Sequence, residues 1–336
     1  MNITDKFSRK LRDVRISVTD RCNFRCTYCM PNEVYNSDYK FFKKTEILSF
    51  EEIIRLTKVL ASLGVKKVRL TGGEPLLRNN IHILIENLKN IKGITDISMT
   101  TNGVLLSEKN SNLLQKSGLD RLTISLDTLN NKRFIDISGS KYLPSDVILG
   151  IENAQKAGFK NIKINMVVKN NTNHFDILPM LDKFKNTGCI VRFIEFMDVG
   201  NTNLWDMKDV FSMDDILRTI SEKYHINPIE KNYSSEVAKR WSYEGGEFGI
   251  ISSISNPFCG DCSRIRLTAE GKLFTCLFSN NSHDVKKLIR SSKSDDLIRD
   301  YLMDIWGIRD DRYSETRIVS NKYKSTKKAE MSYIGG

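Results

Sequence analysis

Apolar and polar positions in the first 200 residues follow two alternating patterns. Short β-rich apolar runs predict strands, and the longer stretches between them have the spacing of amphipathic helices. The predicted strands are residues 14–18, 67–71, 96–100, 121–126, 161–168 and 190–196. The predicted helices are residues 50–63, 79–90, 107–117, 145–157 and 174–185. Repeated strand–helix units are typical of an α/β fold with a parallel sheet.

Three glycines indicate where predicted helices end. Gly64, Gly118 and Gly158 each follow a predicted helix directly, as C-terminal caps do.

The six strand–helix units are too few for an eight-stranded barrel, so an incomplete (β/α)6 barrel fits the count. Active residues of such folds gather at the C-terminal ends of the strands.

The pattern changes from about residue 201. Residues 245–255 predict a strand, residues 264–275 predict a hairpin, and helices are expected at 283–291 and 294–305. The sequence therefore predicts three parts. These are a partial barrel core over residues 1–200, a C-terminal extension over 201–308, and a charged tail over 309–336 that ends in Gly-Gly.

Composition is that of an ordinary soluble protein of 336 residues, with 40% hydrophobic and 28% charged residues. No apolar run is long enough to span a membrane, and the polar residues 1–15 lack the apolar core of a secretion signal. We therefore expect a cytoplasmic protein without membrane partners. The net charge of +11 suits a polyanionic partner, such as nucleic acid or a nucleotide triphosphate, although a lysine-rich solvated surface is the more common cause of such an excess.

Cys22, Cys26 and Cys29 form a C-x3-C-x2-C run just after the first predicted strand. A structural zinc site uses four protein ligands, whereas a 4Fe-4S cluster held by three thiolates keeps one iron open for a substrate or cofactor. The spacing favours a cluster, and a zinc knuckle or a set of buried thiols remains an alternative. Disulfides are not expected in a reducing compartment.

Cys259, Cys262 and Cys276 form a second triplet, with C-x2-C-x13-C spacing. These residues favour either a second 4Fe-4S cluster with an open iron or a zinc site completed by His283. Six of the seven cysteines thus fall into two triplets, and only Cys189 stands alone.

Other segments have the residue types of a ligand site. Residues 71–75 read Thr-Gly-Gly-Glu-Pro after a predicted strand, and glycines there let a ligand approach the backbone. Arg264 and Arg266 alternate on one predicted strand, so they share a face and suit phosphate oxygens. An inward Lys163 would need a partner such as a triphosphate. A structural turn, a pair of exposed arginines and an outward-facing lysine are the alternatives.

Five segments of the chain together resemble the radical SAM (S-adenosylmethionine) enzymes: TDRCNFRCTYCMP, VRLTGGEPLLR, TTNG, SLD and RFIEFMDVGN. With the second triplet, Arg264-x-Arg266 and two final glycines, the chain resembles the GTP 3′,8-cyclase family of molybdenum cofactor biosynthesis. That resemblance implies an α/β, incomplete (β/α)6 TIM-like barrel with a C-terminal extension that carries a second iron–sulfur cluster. It implies two 4Fe-4S clusters and SAM as cofactors.

The family resemblance also implies the activity. It implies a radical SAM lyase that converts GTP to (8S)-3′,8-cyclo-7,8-dihydroguanosine 5′-triphosphate, while SAM is cleaved to 5′-deoxyadenosine and methionine. This reaction is the first step of molybdenum cofactor biosynthesis. The remaining alternatives are another radical SAM enzyme with an auxiliary cluster, such as a peptide maturase, and a zinc protein that binds nucleic acid.

Site residues are carried over from the family position by position. The first triplet would hold the SAM-binding cluster and the second triplet the GTP-binding cluster. The implied SAM contacts are Tyr28, Gly73, Ser125 and Met197. The implied GTP contacts are Arg15, Arg69, Thr100, Lys163, Arg264, Ile265 and Arg266, with Lys67 and Arg192 as further candidates. Gly335 and Gly336 would form a tail that enters the active site.

The partners follow from the same resemblance. We expect GTP as substrate, an electron donor such as a flavodoxin or ferredoxin, and a downstream pterin-forming enzyme that receives the product. A homodimer is expected, and nucleic acid and membrane are not expected as partners.

Overall fold

The computed structural model describes residues 3–233, 235–291, 293–317 and 328–335. One twelve-stranded sheet runs through this part of the chain. Its strands are β1 (Asp13–Ser17), β2 (Lys67–Thr71), β3 (Asp96–Thr101), β4 (Arg121–Ser125), β5 (Lys163–Val168), β6 (Ile190–Glu195), β7 (Ile226–Ile229), β8 (Lys239–Tyr243), β9 (Gly246–Ile251), β10 (Arg264–Leu267), β11 (Lys272–Phe274) and β12 (His283–Asp284).

The first six strands are connected by α1 (Phe50–Ser62), α2 (Ile81–Lys89), α3 (Glu108–Lys116), α4 (Asn131–Ser138), α5 (Pro144–Lys156) and α6 (Ile177–Phe184). The helix α7 (Met213–Ser221) follows β6. Four helices follow β12 in the described part of the chain: α8 (Val285–Arg290), α9 (Asp295–Gly307), α10 (Tyr313–Thr316) and α11 (Met331–Ile334). α1 begins at a capping box in which Ser49 and Glu52 satisfy each other's backbone N–H groups. None of the described helices has the length and apolar character needed to cross a lipid bilayer.

The six strands β1 to β6 are parallel neighbours in chain order, which confirms the predicted parallel core. All six predicted strands and all five predicted helices of this part are present, with boundaries shifted by a few residues. The elements of the described residues that were not predicted are α4, α7, α10, α11, β7, β8 and β12, and β12 occupies the first two residues of the helix predicted at 283–291. β7 contains Pro228, which argues against a strand, but β7 lies at the edge of the sheet, where proline is tolerated.

The C-terminal extension joins both edges of the same sheet. β9 pairs in parallel with β6 and continues into the antiparallel β8 and β7. At the other edge β10 pairs in parallel with β1 and begins the predicted hairpin with β11. The second cysteine triplet flanks this hairpin, so the added strands place it beside β1.

Alternate residues of the parallel strands face two different environments. In β5, Ile164, Met166 and Val168 are fully buried and pack in the apolar core. Asn165 and Val167, on the opposite face, line a cavity. Side chains from β1 to β6, β9 and β10 line this one cavity, so the sheet curves around it.

Candidate active site

The cavity inside the curved sheet has a volume of about 330 Å3. Loops that follow the parallel strands and loops of the C-terminal extension bound it. Both predicted cysteine triplets line it: Cys22, Cys26, Cys29, Cys259, Cys262 and Cys276. Two groups of thiols that are far apart in sequence therefore face one shared space.

Backbone hydrogen bonds fix the first cysteine loop. The Arg25 guanidinium donates to the carbonyl of Cys22 at 2.8 Å and to the carbonyl of Tyr35 at 2.6 Å. The backbone N–H groups of Cys29 and Met30 both donate to the carbonyl of Cys26, at 3.0 and 2.8 Å. The loop is thus folded into a tight turn that presents its thiols to the cavity.

Gly73 lies directly under this loop. Its N–H donates to the carbonyl of Thr19 at 2.8 Å, and the N–H of Glu74 donates to the carbonyl of Arg21 at 2.8 Å. A Cβ at Gly73 would lie 2.2 Å from the Arg21 carbonyl oxygen, so no larger residue fits this approach. The Gly-Gly-Glu-Pro segment therefore supports the cysteine loop as well as lining the cavity.

The thiols of the first triplet are buried close to one another. Burial, with a smaller contribution from Glu74, raises the pKa of Cys22 to about 12. Burial and then the neighbouring Cys22 and Cys29 raise the pKa of Cys26. Without a cation these thiols stay protonated at neutral pH, and a bound metal group would replace their protons.

Across the described residues, no three His, Cys, Asp or Glu side chains come close enough to hold a single metal ion. In a 4Fe-4S cluster each thiolate binds a different iron, so the sulfurs surround a volume instead of converging on one point. Three buried thiols on a cavity wall fit such a cluster. His283, the predicted fourth zinc ligand, packs near Tyr301 and is absent from the residues described as lining the cavity.

The second triplet lies in a more positive environment. Cys259 begins a 3-10 turn, Cys262 precedes β10, and Cys276 follows β11. Burial raises the pKa of Cys262, but Arg264 and Arg309 outweigh it and lower that pKa to about 6. The Arg264 guanidinium lies 3.3 Å from the Cys262 sulfur. A lowered pKa favours the thiolate form of Cys262, which is the form that binds metal ions.

A row of arginines on neighbouring strands lines the same cavity as the two triplets. Arg15 of β1 pairs in register with Arg266 of β10 on one side and with Arg69 of β2 on the other. Neighbouring strands are only about 4.8 Å apart. Burial and then Arg266, Arg69 and Arg264 lower the pKa of Arg15, and burial followed by Arg264 lowers the pKa of Arg266 to about 9. Such a row needs an anionic partner in the cavity.

The positive surface continues towards β5 and β6. Burial, followed by Arg192 and Arg121, lowers the pKa of Lys163 to about 8. Arg121 and Arg192 line the cavity, whereas Lys163 and Lys67 are not among the lining residues. Lys67 instead stacks on the ring of Tyr233, 3.6 Å from its centroid.

Comparison with known proteins decides the family. Residues 16–184 match the Radical SAM superfamily, and residues 189–315 match the family described as Molybdenum Cofactor Synthesis C. The chain is 46% identical to the GTP 3′,8-cyclases of Staphylococcus haemolyticus and Staphylococcus carnosus, over 99% of each chain. The chain belongs to the GTP 3′,8-cyclase family of radical SAM proteins.

Solved structures agree on the fold. Streptococcus suis SuiB bound to S-adenosylmethionine aligns with a TM-score of 0.64 over 96% of this chain and 71% of SuiB, at 15% identity. At that identity the likeness shows a shared fold and nothing about substrate. GTP 3′,8-cyclase family membership supports two clusters and SAM, and it leaves the zinc alternatives without support.

Most of the residues implied by the family resemblance line the cavity. The implied SAM contacts Tyr28, Gly73, Ser125 and Met197 do so, and Met197 packs in the same small apolar cluster as Cys276. Of the implied GTP contacts, Arg15, Arg69, Thr100, Arg264 and Arg266 line it. Arg69 donates to the Thr100 hydroxyl at 3.4 Å. Ile265 is fully buried in the apolar core, as its alternation with the two arginines requires.

The C-terminal tail of this chain also reaches the cavity wall. The backbone carbonyl of Gly335 accepts a hydrogen bond from Arg266, and Gly336 lies outside the described residues. Glu330 anchors the tail by accepting from the N–H of Asn201 at 2.9 Å and from the hydroxyl of Thr202 at 2.7 Å.

Sequence reasoning missed Asp127, which lines the cavity. Asp127 accepts from the Tyr28 hydroxyl at 2.6 Å and from the N–H of Val167 at 2.8 Å, and no local signal identifies it. Period-two alternation along β5 predicts that Asn165 faces inward, and Asn165 lines the cavity. Asn165 is opposite Ser125 in the register, and its buried Oδ1 has no hydrogen-bond partner in the described part of the chain.

Proposed function

We propose that this chain is a GTP 3′,8-cyclase that converts GTP to (8S)-3′,8-cyclo-7,8-dihydroguanosine 5′-triphosphate with consumption of SAM. One observation carries the proposal: two three-thiol groups and a row of like-charged arginines line one cavity. A ligand with three phosphates and a base that reaches a second metal group satisfies both features.

The finer architecture is part of the proposal. Strands β1 to β6 with their helices constitute an incomplete (β/α)6 barrel over residues 1–200. Residues 201–308 form the extension that carries the second cluster, and residues 309–336 form the tail. Support comes from inward side chains of successive parallel strands, which share one cavity.

When bound, the first cluster and SAM supply an electron and a carbon-centred radical, which the protein itself cannot provide. Cys22, Cys26 and Cys29 would hold that cluster. The side chains around SAM would orient it: Tyr28, Gly73, Ser125 and Met197. The hydrogen bond from Tyr28 to Asp127 fixes the Tyr28 ring against the cavity wall.

GTP would occupy the space between the arginine row and the second triplet. Arg15, Arg69 and Arg266 would neutralise the triphosphate, which offers bidentate acceptors for guanidinium groups. Thr100, Lys163, Arg264 and the backbone of Ile265 complete the proposed contacts, and Lys67 and Arg192 lie at their margin. Cys259, Cys262 and Cys276 would hold the cluster whose open iron meets the guanine base.

Positioning is the main contribution of the protein to this chemistry. A primary radical reacts with any nearby C–H or thiol, so the ribose has to lie against it and water has to be excluded. Gly335 and Gly336 would close the cavity beside Arg266. A tail without side chains fits there, since a Cβ at Gly335 would lie 2.5 Å from the Thr71 methyl group.

The remaining partners stay predictions. They are a flavodoxin or ferredoxin as electron donor, a downstream pterin-forming enzyme, and a second copy of the chain. A cytoplasmic location, with neither membrane nor nucleic acid as partner, also stays a prediction. Part of the positive charge of the chain lies in the arginine row inside the cavity. This location is consistent with a nucleotide triphosphate as the polyanionic partner.

An anaerobic turnover assay tests the proposal. The protein is reconstituted with iron and sulfide and given SAM, a chemical reductant and GTP, and products are identified by mass spectrometry. We expect 5′-deoxyadenosine together with a cyclised isomer of GTP, and no cyclised product when ATP replaces GTP. 5′-Deoxyadenosine without the GTP product would retain radical SAM chemistry and refute GTP as the substrate.

A further inference from the structure

A buried network connects the N-terminal segment to the second cysteine triplet. Its centre is the carboxylate of Asp5, which is inaccessible to solvent. Asp5 accepts from the Arg9 Nε at 2.6 Å and from an Arg309 Nη at 3.0 Å. The two arginine side chains are only 2% and 1% exposed. We call Asp5, Arg9 and Arg309 the Asp5 hub.

The Asp5 hub reaches the backbone of two cluster ligands. Arg9 donates to the carbonyl of Cys259 at 2.9 Å. Arg309 donates to the carbonyl of Cys262 at 2.9 Å. One carboxylate therefore orients two guanidinium groups, and each guanidinium holds the peptide of one cysteine.

Neighbouring contacts keep both guanidinium groups in place. Arg9 also donates to the carbonyl of Asp311 at 2.8 Å, and the Arg309 Nε lies 3.2 Å from the Asp311 carboxylate. The indole of Trp306 donates to the Arg9 carbonyl at 3.0 Å, and Arg309 stacks over the same indole. Lysine could not reproduce this pattern, because a single ammonium cannot reach Asp5 and two separate carbonyls with fixed directions.

We propose that the Asp5 hub is a positioning unit for the second cluster, which orients the peptides of Cys259 and Cys262 so that their thiols face the cavity. The proposal rests on the second cluster of the proposed function. Groups that orient metal ligands from outside the coordination sphere commonly change metal affinity by 10- to 100-fold when they are removed. The hub has this role through backbone carbonyls, since the thiols themselves have to remain free for iron.

A purely structural role is the competing explanation. The hub also ties the N-terminal segment to the end of α9, where the Lys6 N–H donates to the Arg309 carbonyl at 3.3 Å. If that connection were its only purpose, loss of the hub would destabilise the whole fold and affect both clusters equally. A positioning role predicts selective loss at the second cluster.

The test compares Arg309→Met, Arg9→Lys and the matched control Lys6→Met. Lys6 forms an exposed ion pair with Asp310 at 3.3 Å, so this control connects the same two segments without touching the cysteines. Each variant is reconstituted anaerobically, and iron per chain, the electron paramagnetic resonance spectrum and the reduction potential of each cluster are measured. Circular dichroism of the metal-free proteins compares their folds.

For Arg309→Met we expect iron per chain to fall by about half, with the signal of the first cluster and cleavage of SAM retained. For Arg9→Lys we expect both clusters, with the spectrum or potential of the second cluster changed and that of the first unchanged. Lys6→Met should match the wild type in every readout.

Two results would overturn the proposal. The first is that both hub variants, Arg309→Met and Arg9→Lys, show the signals of both clusters without any change. The other is equal loss of both clusters, which would assign the hub to the fold alone. Should Arg309→Met fail to fold, Arg9→Lys decides, because it keeps the buried charge. A wild-type protein with only one cluster would instead refute the second site of the proposed function, so the two failures are distinguishable.

Discussion

The guanidinium of Arg266 donates a hydrogen bond to the backbone carbonyl of Gly335, 69 residues further along the chain. Arg266 is 4% exposed and belongs to the arginine row beside Arg15. The end of the chain and the proposed triphosphate site thus share one guanidinium. We infer that the tail and the substrate are coupled through Arg266.

Gly335→Ala tests the fit of the tail. Gly335 has φ of +75°, and an added Cβ would lie 2.5 Å from the Thr71 methyl group. Such backbone strain costs on the order of 1–3 kcal/mol, so we expect the tail to leave its site and the rate of GTP cyclisation to fall about tenfold or more. Iron content and SAM binding should not change. Turnover and iron analysis on the same preparation check this.

Gly307→Ala is the control for this substitution. Apart from the neighbouring backbone of α9, no atom of the described residues lies within 4 Å of the Cβ that would be added at Gly307, at the end of this helix. Its activity should match that of the unchanged protein. Full cyclisation activity in Gly335→Ala would mean that the tail contributes nothing through the backbone of Gly335.

Local patterns were sufficient to predict the parallel core and the grouping of six cysteines into two triplets. β2 has the predicted bounds, and the alternation of Arg264 and Arg266 around the buried Ile265 follows directly from strand geometry. Spacing alone left a zinc site open for both triplets, and the family resemblance supplied the clusters as well as Ser125 and Met197. Those two residues line the cavity, and their contact with SAM stays a prediction.

Long-range pairing could not be predicted in this way. Nothing local in β9 or β10 shows that they join opposite edges of one sheet, because register depends on partners far away in sequence. The contact of Asp5 with Arg309 spans 304 residues and leaves no local signal at either position. The same holds for Asp127, whose hydrogen bond to Tyr28 spans 99 residues.

Arg69→Met should separate substrate binding from stability. Arg69 is in register with Arg15 and Arg266, so its loss removes repulsion between like charges in the free protein. The same change removes a charge-assisted contact with the bound triphosphate. We expect GTP to bind about 10- to 100-fold more weakly, which corresponds to roughly 1.5–3 kcal/mol. The thermal midpoint without GTP should stay equal or rise.

Calorimetry or filter binding gives the GTP affinity, and thermal unfolding gives the midpoint. Arg299→Met is the matched control, because Arg299 forms an exposed ion pair with Asp296. A lower midpoint in Arg69→Met with unchanged GTP affinity would argue against the arginine row as a phosphate site.

Lys163 should make GTP affinity dependent on pH. Burial, then Arg192 and Arg121, lower its pKa from 10.5 to about 8 in the free protein. A bound triphosphate favours the charged lysine and raises that pKa, so affinity is highest below pH 8 and falls as pH rises above it. Lys163→Arg, which stays charged at this position, should show a weaker decline of affinity, and the decline that remains comes from Arg266, whose pKa burial and Arg264 lower to about 9. A parallel decline in both proteins would assign the pH dependence to another group.

Glu195 should stabilise the connection between the barrel core and the extension. Its fully buried carboxylate accepts from the N–H groups of Met213, Ile254 and Ser255 at 2.8 to 2.9 Å. Glu195→Ala leaves these donors without their acceptor, so we expect a loss of about 3 kcal/mol or more and a lower thermal midpoint. Glu195→Gln keeps one carbonyl acceptor and should lose less. If both variants had the same thermal midpoint as the unchanged protein, the carboxylate of Glu195 would not be needed for stability.

The two cysteine triplets should separate into two functions. Cys26→Ala removes a thiol of the first triplet, so we expect loss of SAM cleavage and therefore of every product. Cys276→Ala removes a thiol of the second triplet, so one cluster and SAM binding should persist while cyclisation of GTP is lost. Iron analysis, spectroscopy and product analysis on both variants check this. Cys189→Ala is the control, because Cys189 is buried and is not among the residues that line the cavity. Full turnover in Cys276→Ala would contradict this prediction. It would show that the second triplet binds no group that the reaction of GTP requires.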